Sequence, residues 1–399
     1  MTCPDSSHRP NRFARRLTAV LGLAAAVPAR AQVDTVSRNL IEIGYDQTAV
    51  GRGPQAEYAY YYYNRPDYFA PNVGLRAALA PAYLDSEIGF RHLLSPSTDV
   101  GFGLAGGAFG DNFYDVAQGQ YRENESFDGS GGGATLSVYQ LLNPGDRIPL
   151  NLMVRGGFRY STYFDTSDTA KNFKLPSDQL RAYTRIGLRF GGRQPLLFPA
   201  LGLELSAWFE RERDFDAMAY GFDGDRRLSP GTDLYWAYAG LNYQFKASGD
   251  QMSFGLTAGG STDADLFSAW RLGGVLPLVA EYPLMVPGYY YEELTAIRFA
   301  HLYAAYAVPL DQARRWDVMV EAAAARLDYL PGYEQRSDWQ SGAGLGLGFS
   351  PKRSRYKVIL RCGYGFNALR SGKDGAESVG LLFQWDLSPR KRQIPLQSY

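Results

Sequence analysis

The stretch Trp339-Gln340-Ser341-Gly342-Ala343-Gly344-Leu345-Gly346-Leu347-Gly348-Phe349 alternates at every position. Trp339, Ser341, Ala343, Leu345, Leu347 and Phe349 fall on one side. Gln340 and the glycines Gly342, Gly344, Gly346 and Gly348 fall on the other. At helical spacing these residues would scatter around the axis, whereas a period of two sorts them onto the two faces of a β-strand.

The neighbouring segments repeat the pattern. Tyr356, Val358, Leu360, Cys362, Tyr364 and Phe366 oppose Lys357, Ile359, Arg361, Gly363, Gly365 and Asn367. Leu201, Leu203, Leu205, Ala207 and Phe209 oppose Gly202, Glu204, Ser206, Trp208 and Glu210. Each segment is about ten residues long, the length with which a tilted strand crosses a bilayer. No run is continuously apolar for about eighteen residues, so transmembrane helices are excluded. The expected fold is all-β: a transmembrane antiparallel β-barrel of about sixteen strands. Their starts are expected near residues 39, 56, 73, 82, 98, 132, 150, 179, 200, 234, 250, 296, 316, 339, 356 and 377.

The connections support a barrel. Long ones are expected around 109–131, 165–178, 213–233 and 262–295. Tight turns lie between them at Asn143-Pro144-Gly145-Asp146, Ala247-Ser248-Gly249-Asp250, Asp311-Gln312-Ala313-Arg314 and Ser350-Pro351-Lys352-Arg353. Long external loops and short periplasmic turns are the habit of outer-membrane barrels. The 29 tyrosines and 22 phenylalanines suit a surface between lipid and water better than a soluble core.

The ends read as export signals. Arg12, Arg15 and Arg16 precede an apolar run from Leu17 to Val27, and Ala29-Arg30-Ala31 follows as a cleavage site. Residues 1–31 are thus expected to be a signal peptide cleaved near Ala31, 32–387 the barrel and 388–399 a polar tail. Outer-membrane lipids are the expected surroundings. The last strand carries Ser378-x-Gly380-x-x-Phe383-x-Trp385, the polar-x-Gly-x-x-aromatic-x-aromatic pattern that barrel assembly machinery reads. Once the signal is removed, Cys362 is the one cysteine left, which leaves no disulfide within the chain.

Little else carries chemistry. The 41 basic and 41 acidic residues cancel, which argues against nucleic-acid binding. Gly101-x-Gly103-x-x-Gly106 lacks the following helix that a dinucleotide site needs. Gly129, Gly131, Gly132 and Gly133 lack a P-loop's Lys-Ser/Thr and read as an external loop. His92 and His301 have no Gly-x-Ser-x-Gly element or His-Asp pair beside them, so structural roles are expected for both. Asp223 and Asp225 could trap calcium, but a solvated loop is the simpler reading. No enzyme activity, cofactor or metal is expected. More informative are Arg155, Arg159, Arg181, Arg185, Arg189, Glu204, Glu210, Lys246, Glu321, Lys357 and Arg361, which alternation points into the lumen. They fit either a wall laced with ion pairs or a charged passage.

Leu272-Gly273-Gly274, then Val286-Pro287-Gly288-Tyr289, then five strands with Phe349-Ser350-Pro351 before the penultimate one, form a further pattern. From Phe267 to Leu387 the chain resembles the C-terminal barrel of the bacterial surface antigen superfamily, the BamA/TamA/FhaC-like insertases and secretion pores. The resemblance implies that Val286 to Tyr289 form the tip of a sixth external loop that reaches into the lumen. The family's arginine at this tip is replaced by Pro287. Its acidic partner is expected on the strand after next, where Glu321 is the remaining candidate. Loss of both partners together avoids an unpaired buried charge, and packing of Tyr289, Tyr290 and Tyr291 is expected to hold the loop inside. The seam is expected between a short first strand, Asn39 to Tyr45, and the strand containing Gly380. No room for POTRA modules lies between Gln32 and the first strand, so a barrel-only member is expected, with a periplasmic partner supplying substrate capture. The implied function is outer-membrane biogenesis or protein and lipid export. The alternative is a passive, porin-like channel.

Overall fold

The computed structural model describes residues 37–54, 56–146, 148–192, 201–245, 247–277, 282–351 and 355–388. The expected signal peptide with its cleavage site, Lys246, Lys352, Arg353 and the tail beyond Ser388 lie outside the described residues.

Sixteen antiparallel strands close into one barrel. They are β1 (Arg38–Thr48), β2 (Ala56–Ala70), β3 (Val73–Ala80), β4 (Tyr83–Ser95), β5 (Thr98–Gly107), β6 (Phe127–Leu141), β7 (Leu150–Asp165) and β8 (Gln179–Gly191). Then follow β9 (Leu201–Asp214), β10 (Gly231–Gln244), β11 (Gln251–Thr262), β12 (Leu294–Pro309), β13 (Trp316–Tyr329), β14 (Trp339–Phe349), β15 (Tyr356–Arg370) and β16 (Lys373–Asp386). A further short strand, Trp270–Leu272, pairs only with the top of β12. Each wall strand pairs with its sequence neighbours, and β1 closes on β16.

Alternation decides what faces lipid. On β14, Trp339 and Leu345 are exposed while Gln340 is fully buried. On β9, Leu203, Leu205 and Phe209 are exposed while Glu204, Trp208 and Glu210 are buried. The outward side chains are apolar because a cation facing lipid at mid-depth costs roughly 2–4 kcal/mol.

Three expectations need correction. Gly129, Gly131, Gly132 and Gly133 lie in β6, paired with β7 from Tyr163 to Arg159, rather than in a loop. Small inner residues are needed there because Asp111 and neighbouring backbone lie within van der Waals distance. The long connection accordingly ends at Ser126, before β6 begins. The first strand is longer than Asn39 to Tyr45, at 11 residues. The last begins at Lys373 rather than near 377.

Long connections at 108–126, 166–178, 215–230 and 263–293 all emerge at one end of the barrel. There Phe113, Phe127, Phe173, Tyr220, Leu266 and Tyr333 pack into a common apolar core. Asp115 is buried beneath this dome, where it accepts hydrogen bonds from Arg226 (2.8 Å) and the Tyr333 hydroxyl (2.8 Å). A buried carboxylate needs such partners. The dome covers the loop end of the lumen.

Candidate functional site

The lumen holds the chemistry, and one loop dominates it. The connection between β11 and β12 turns inward, and Val286, Tyr289 and Tyr290 are essentially fully buried. Burying such side chains contributes roughly 1.5–3 kcal/mol each. The tip rests on the glycine face of β14 and β15. A Cβ at Gly342 would lie 2.1 Å from the Pro287 carbonyl oxygen, and one at Gly363 would lie 2.6 Å from Pro287 Cβ. Gly288 adopts φ +91°, and a Cβ there would meet the Gly365 nitrogen at 1.8 Å. No other residue type fits that position.

Polar contacts complete the seat. The Gly288 amide donates to Ser378 Oγ at 2.9 Å, and the Tyr289 hydroxyl donates to Gln340 Oε1 at 2.5 Å. Glu293 and Arg370 form a buried, two-pronged ion pair at 2.8 and 2.6 Å. The Arg370 guanidinium also stacks 3.7 Å from the centre of the Tyr290 ring. Thus the tip Val286, Pro287, Gly288 and Tyr289 lies within the barrel, and, where tyrosine packing without an ion pair was expected, a buried ion pair beside the tip holds it together with Tyr289 and Tyr290.

Ser378 and Gly380, picked out as part of an assembly pattern, also face this loop. Gly380 leaves room for Val275 and Leu276, which a Cβ would meet at 2.7 and 2.8 Å. Trp385 of the same pattern is exposed on the outer face. Phe383 shares that face and packs near Tyr356, with ring centres 6.1 Å apart.

Glu321 on β13 is buried and keeps a cationic partner. Arg361 of β15 reaches it at 3.2 Å, and the Tyr303 hydroxyl donates to it at 2.7 Å. The sequence suggests that the loop arginine and its acidic partner are lost together, which leaves no arginine for Glu321. Instead the wall supplies one, two strands away across the narrow Gly344. Arg361 also donates to the Val275 carbonyl at 3.1 Å, so it still grips the loop.

Sequence reasoning missed Asp46. This buried β1 carboxylate accepts the amides of Val275 (2.6 Å) and Leu276 (3.2 Å). Its inward position in the alternation of β1 was the available signal. The loop therefore touches both strands of the seam, β1 through Asp46 and β16 through Ser378. The seam itself runs in unbroken register from Leu40 opposite Asp386 to Thr48 opposite Ser378.

The loop also reaches the far wall. Tyr282 packs on Trp208, Trp236 and Tyr238 and donates to Glu204 at 3.2 Å. The predicted inward charges around the described lumen wall are paired by the structure. Arg155 meets Glu87 at 3.4 Å, Arg189 meets Glu204 at 2.8 Å, Lys357 meets Asp317 at 3.4 Å, and Arg185 pairs with Glu210. Arg159 pairs with Asp111, and Arg181 lies 3.3 Å from Glu212. The lumen wall is thus laced with ion pairs.

The remaining candidates lie apart from one another. His301 is buried, with Nε2 2.7 Å from the Met285 carbonyl, and so supports the loop. His92 sits at a turn-end hairpin with φ +59°. Contrary to expectation an acid does stand beside it. Asp99 accepts the His92 backbone amide at 2.9 Å and lies 3.9 Å from the ring, which fixes the turn rather than an imidazole. Gly101, Gly103 and Gly106 are in the β4–β5 ladder. Asp223 and Asp225 lie in the turn of a loop hairpin between Ala219–Phe222 and Arg226–Arg227.

No protein-family model and no curated protein matches the sequence. Solved structures do share the fold. CdiB from Acinetobacter baumannii superposes with a TM-score of 0.57 at 12% identity, over 88% of this chain and 60% of that one. CdiB from Escherichia coli gives 0.53 at 13% identity, over 86% and 63%. BamA from Haemophilus ducreyi, lacking POTRA domains 1–3, gives 0.52 at 10% identity, over 87% and 70%. The chain therefore spans about three fifths of the length of the first of these proteins. With its lumenal sixth loop, glycine-faced seat and closed seam, the molecule has the fold of a BamA/CdiB-like sixteen-strand outer-membrane barrel.

Proposed function

We propose that this protein acts in outer-membrane biogenesis or export, as a barrel whose seam opens under control of its sixth loop. One observation carries this reading: the loop is seated on β14 to β16 and also held by Asp46 of β1. A segment bound to both sides of one seam has different contacts when the seam opens, so the two states are coupled. Filling of the lumen and the dome above it support a gated barrel over a passive pore. The reading assigns no catalysis to His92 or His301, and it leaves substrate capture to a periplasmic partner.

The test is a cross-link. Ile43 and Phe383 face each other across the seam. Cysteines at both positions, in a Cys362→Ser background, form a disulfide that locks it. Loss of the cellular function on oxidation, restored by reduction, is the expected result. Full function of the locked barrel rules out seam opening. Steady conductance at low voltage in planar bilayers, unaffected by the lock, is the signature of a passive channel instead.

A further inference from the structure

Four arginines interrupt the outward alternation near the loop end. On β9 the outward series Leu203, Leu205, Ala207 and Phe209 continues into Arg211 and Arg213. On β12 and β13 the outward positions at the same end are Arg298 and Arg326. All four are exposed. The hydrogen-bond register puts them at nearly one level. Arg211 is opposite Asp233, Asp233 is opposite Thr262, and Arg298 is opposite Gly260, two residues from Thr262. Arg326 is opposite Ala300, two residues from Arg298. Between the arginine pairs the outward wall is narrow, at Gly260 and Thr262. Below it is broad and apolar, at Phe209 and Tyr235, both more than two-fifths exposed.

Around the rest of the wall this level is different. Near the loop end of the seam the outward positions hold the acids Glu57 on β2 and Glu377 on β16, with the exposed Lys373 at the tip of β16. Among the described wall residues, outward arginines at this level lie on β9, β12 and β13. Two of the four have only loose acidic neighbours, Asp233 at 3.7 Å from Arg211 and Asp328 at 3.8 Å from Arg298. Their guanidinium groups remain exposed and able to bind in two-pronged fashion.

We propose that this flank, β9 to β13, binds a phosphorylated glycolipid of the outer leaflet. The arginines grip its phosphates, and its acyl chains lie on Phe209 and Tyr235. A cation row just above an apolar belt matches a headgroup bearing several phosphates above several chains. The acidic level at the seam repels the same headgroup, so the seam is left to ordinary lipid. The inference rests on the outer-membrane placement of the barrel, with its loops outward, and not on the proposed gating.

The probe is lipid A in phosphatidylcholine nanodiscs holding the full-length barrel. Bound lipid is counted by native mass spectrometry. Retention of lipid A is expected to fall about tenfold or more in Arg211→Gln/Arg213→Gln and in Arg298→Gln/Arg326→Gln. Dephosphorylated lipid A is expected to be retained no better by the wild type than by either variant. Each variant is first checked for the heat-dependent gel mobility of a folded barrel. An Arg52→Gln/Arg227→Gln variant, altered at two other loop-end arginines, should retain lipid A as the wild type does. Unchanged retention in both wall variants overturns the site. Equal retention of phosphatidylglycerol at matched charge overturns the commitment to a glycolipid. Labelling an introduced Gly224→Cys on intact cells with an impermeant maleimide checks the loop orientation separately.

Discussion

Between β4 and β10 the inner face carries Arg155, Arg185 and Arg189 against Glu87, Glu210 and Glu204. Between β14 and β16 the same face carries Gly342, Gly344, Gly363 and Gly380. The first wall fills its side of the lumen with its own side chains. Glu210 and Glu204 stand on the strand beside Arg185 and Arg189, Arg155 reaches across β6 and β5 to Glu87 on β4, and Arg185 is further held over the Trp236 ring at 4.2 Å. The second wall has no side-chain volume at these glycines and buries them under a loop that arrives from between β11 and β12. One barrel thus contains a wall held by ion pairs among its own side chains and a wall that depends on a distant segment. Tyr282 is where the loop meets the first wall.

Placing a side chain at Gly288 should separate the two most sharply. In Gly288→Val both the φ of +91° and the 1.8 Å approach to Gly365 become untenable. The loop is expected to leave its seat. Limited proteolysis should then cut within residues 283–293, while β7 to β10 stays protected. Protection of the loop equal to wild type would show that the glycine seat is not what holds it.

The next effect concerns the buried ion pair under the loop. Arg370→Ala strands Glu293, whose side chain is fully buried, and should cost roughly 3–5 kcal/mol in denaturant unfolding. Arg336→Ala, which breaks an exposed pair with Asp374, should cost about 1 kcal/mol or less. Similar losses in both would erase the distinction between seated and solvated charges.

Arg361 and Glu321 sharpen the same point. Arg361→Met and Glu321→Leu are each expected to destabilise, and the double variant should lose less than the sum, because neither charge is then left alone. Additive losses would mean that the two do not act as a pair. On the other wall, Arg185→Lys keeps the charge but loses the planar stack on Trp236. A loss of about 1 kcal/mol is expected from tryptophan-monitored unfolding.

The smallest effect is at the turn end. Hydrogen bonds from the Arg315 side chain and then the Trp316 amide hold the Asp311 carboxyl at about 2. Its folded value lies below the unfolded one of about 3.9, so its contribution is present above that pH and is lost as pH falls through about 2. The difference in unfolding midpoint between Asp311→Asn and the wild type should shrink over that window. A constant difference would place the effect elsewhere.

Much of this was legible in the residues. Strand starts at 56, 73, 98, 150, 179, 316, 339 and 356 coincide with the observed ones. Alternation carries that information because one face must be apolar. The glycines of β6 were misread because glycine marks both flexible loops and crowded walls, and composition does not separate the two. The loop tip was legible through Val286 to Tyr289, but the grip on it was not. Asp46, Ser378, Arg361 and Arg370 are scattered over 333 positions, and nothing local links them.

What the sequence by itself determined is the two-sided strand, the number of strands and the inward direction of the charges. Those follow from a period of two and from the cost of exposing charge to lipid. Only the tertiary structure decided which charge meets which, and why one wall is glycine. Closure of the barrel brings β1, β15 and a loop from beyond β11 to one place, and the space left between them selects the smallest residue.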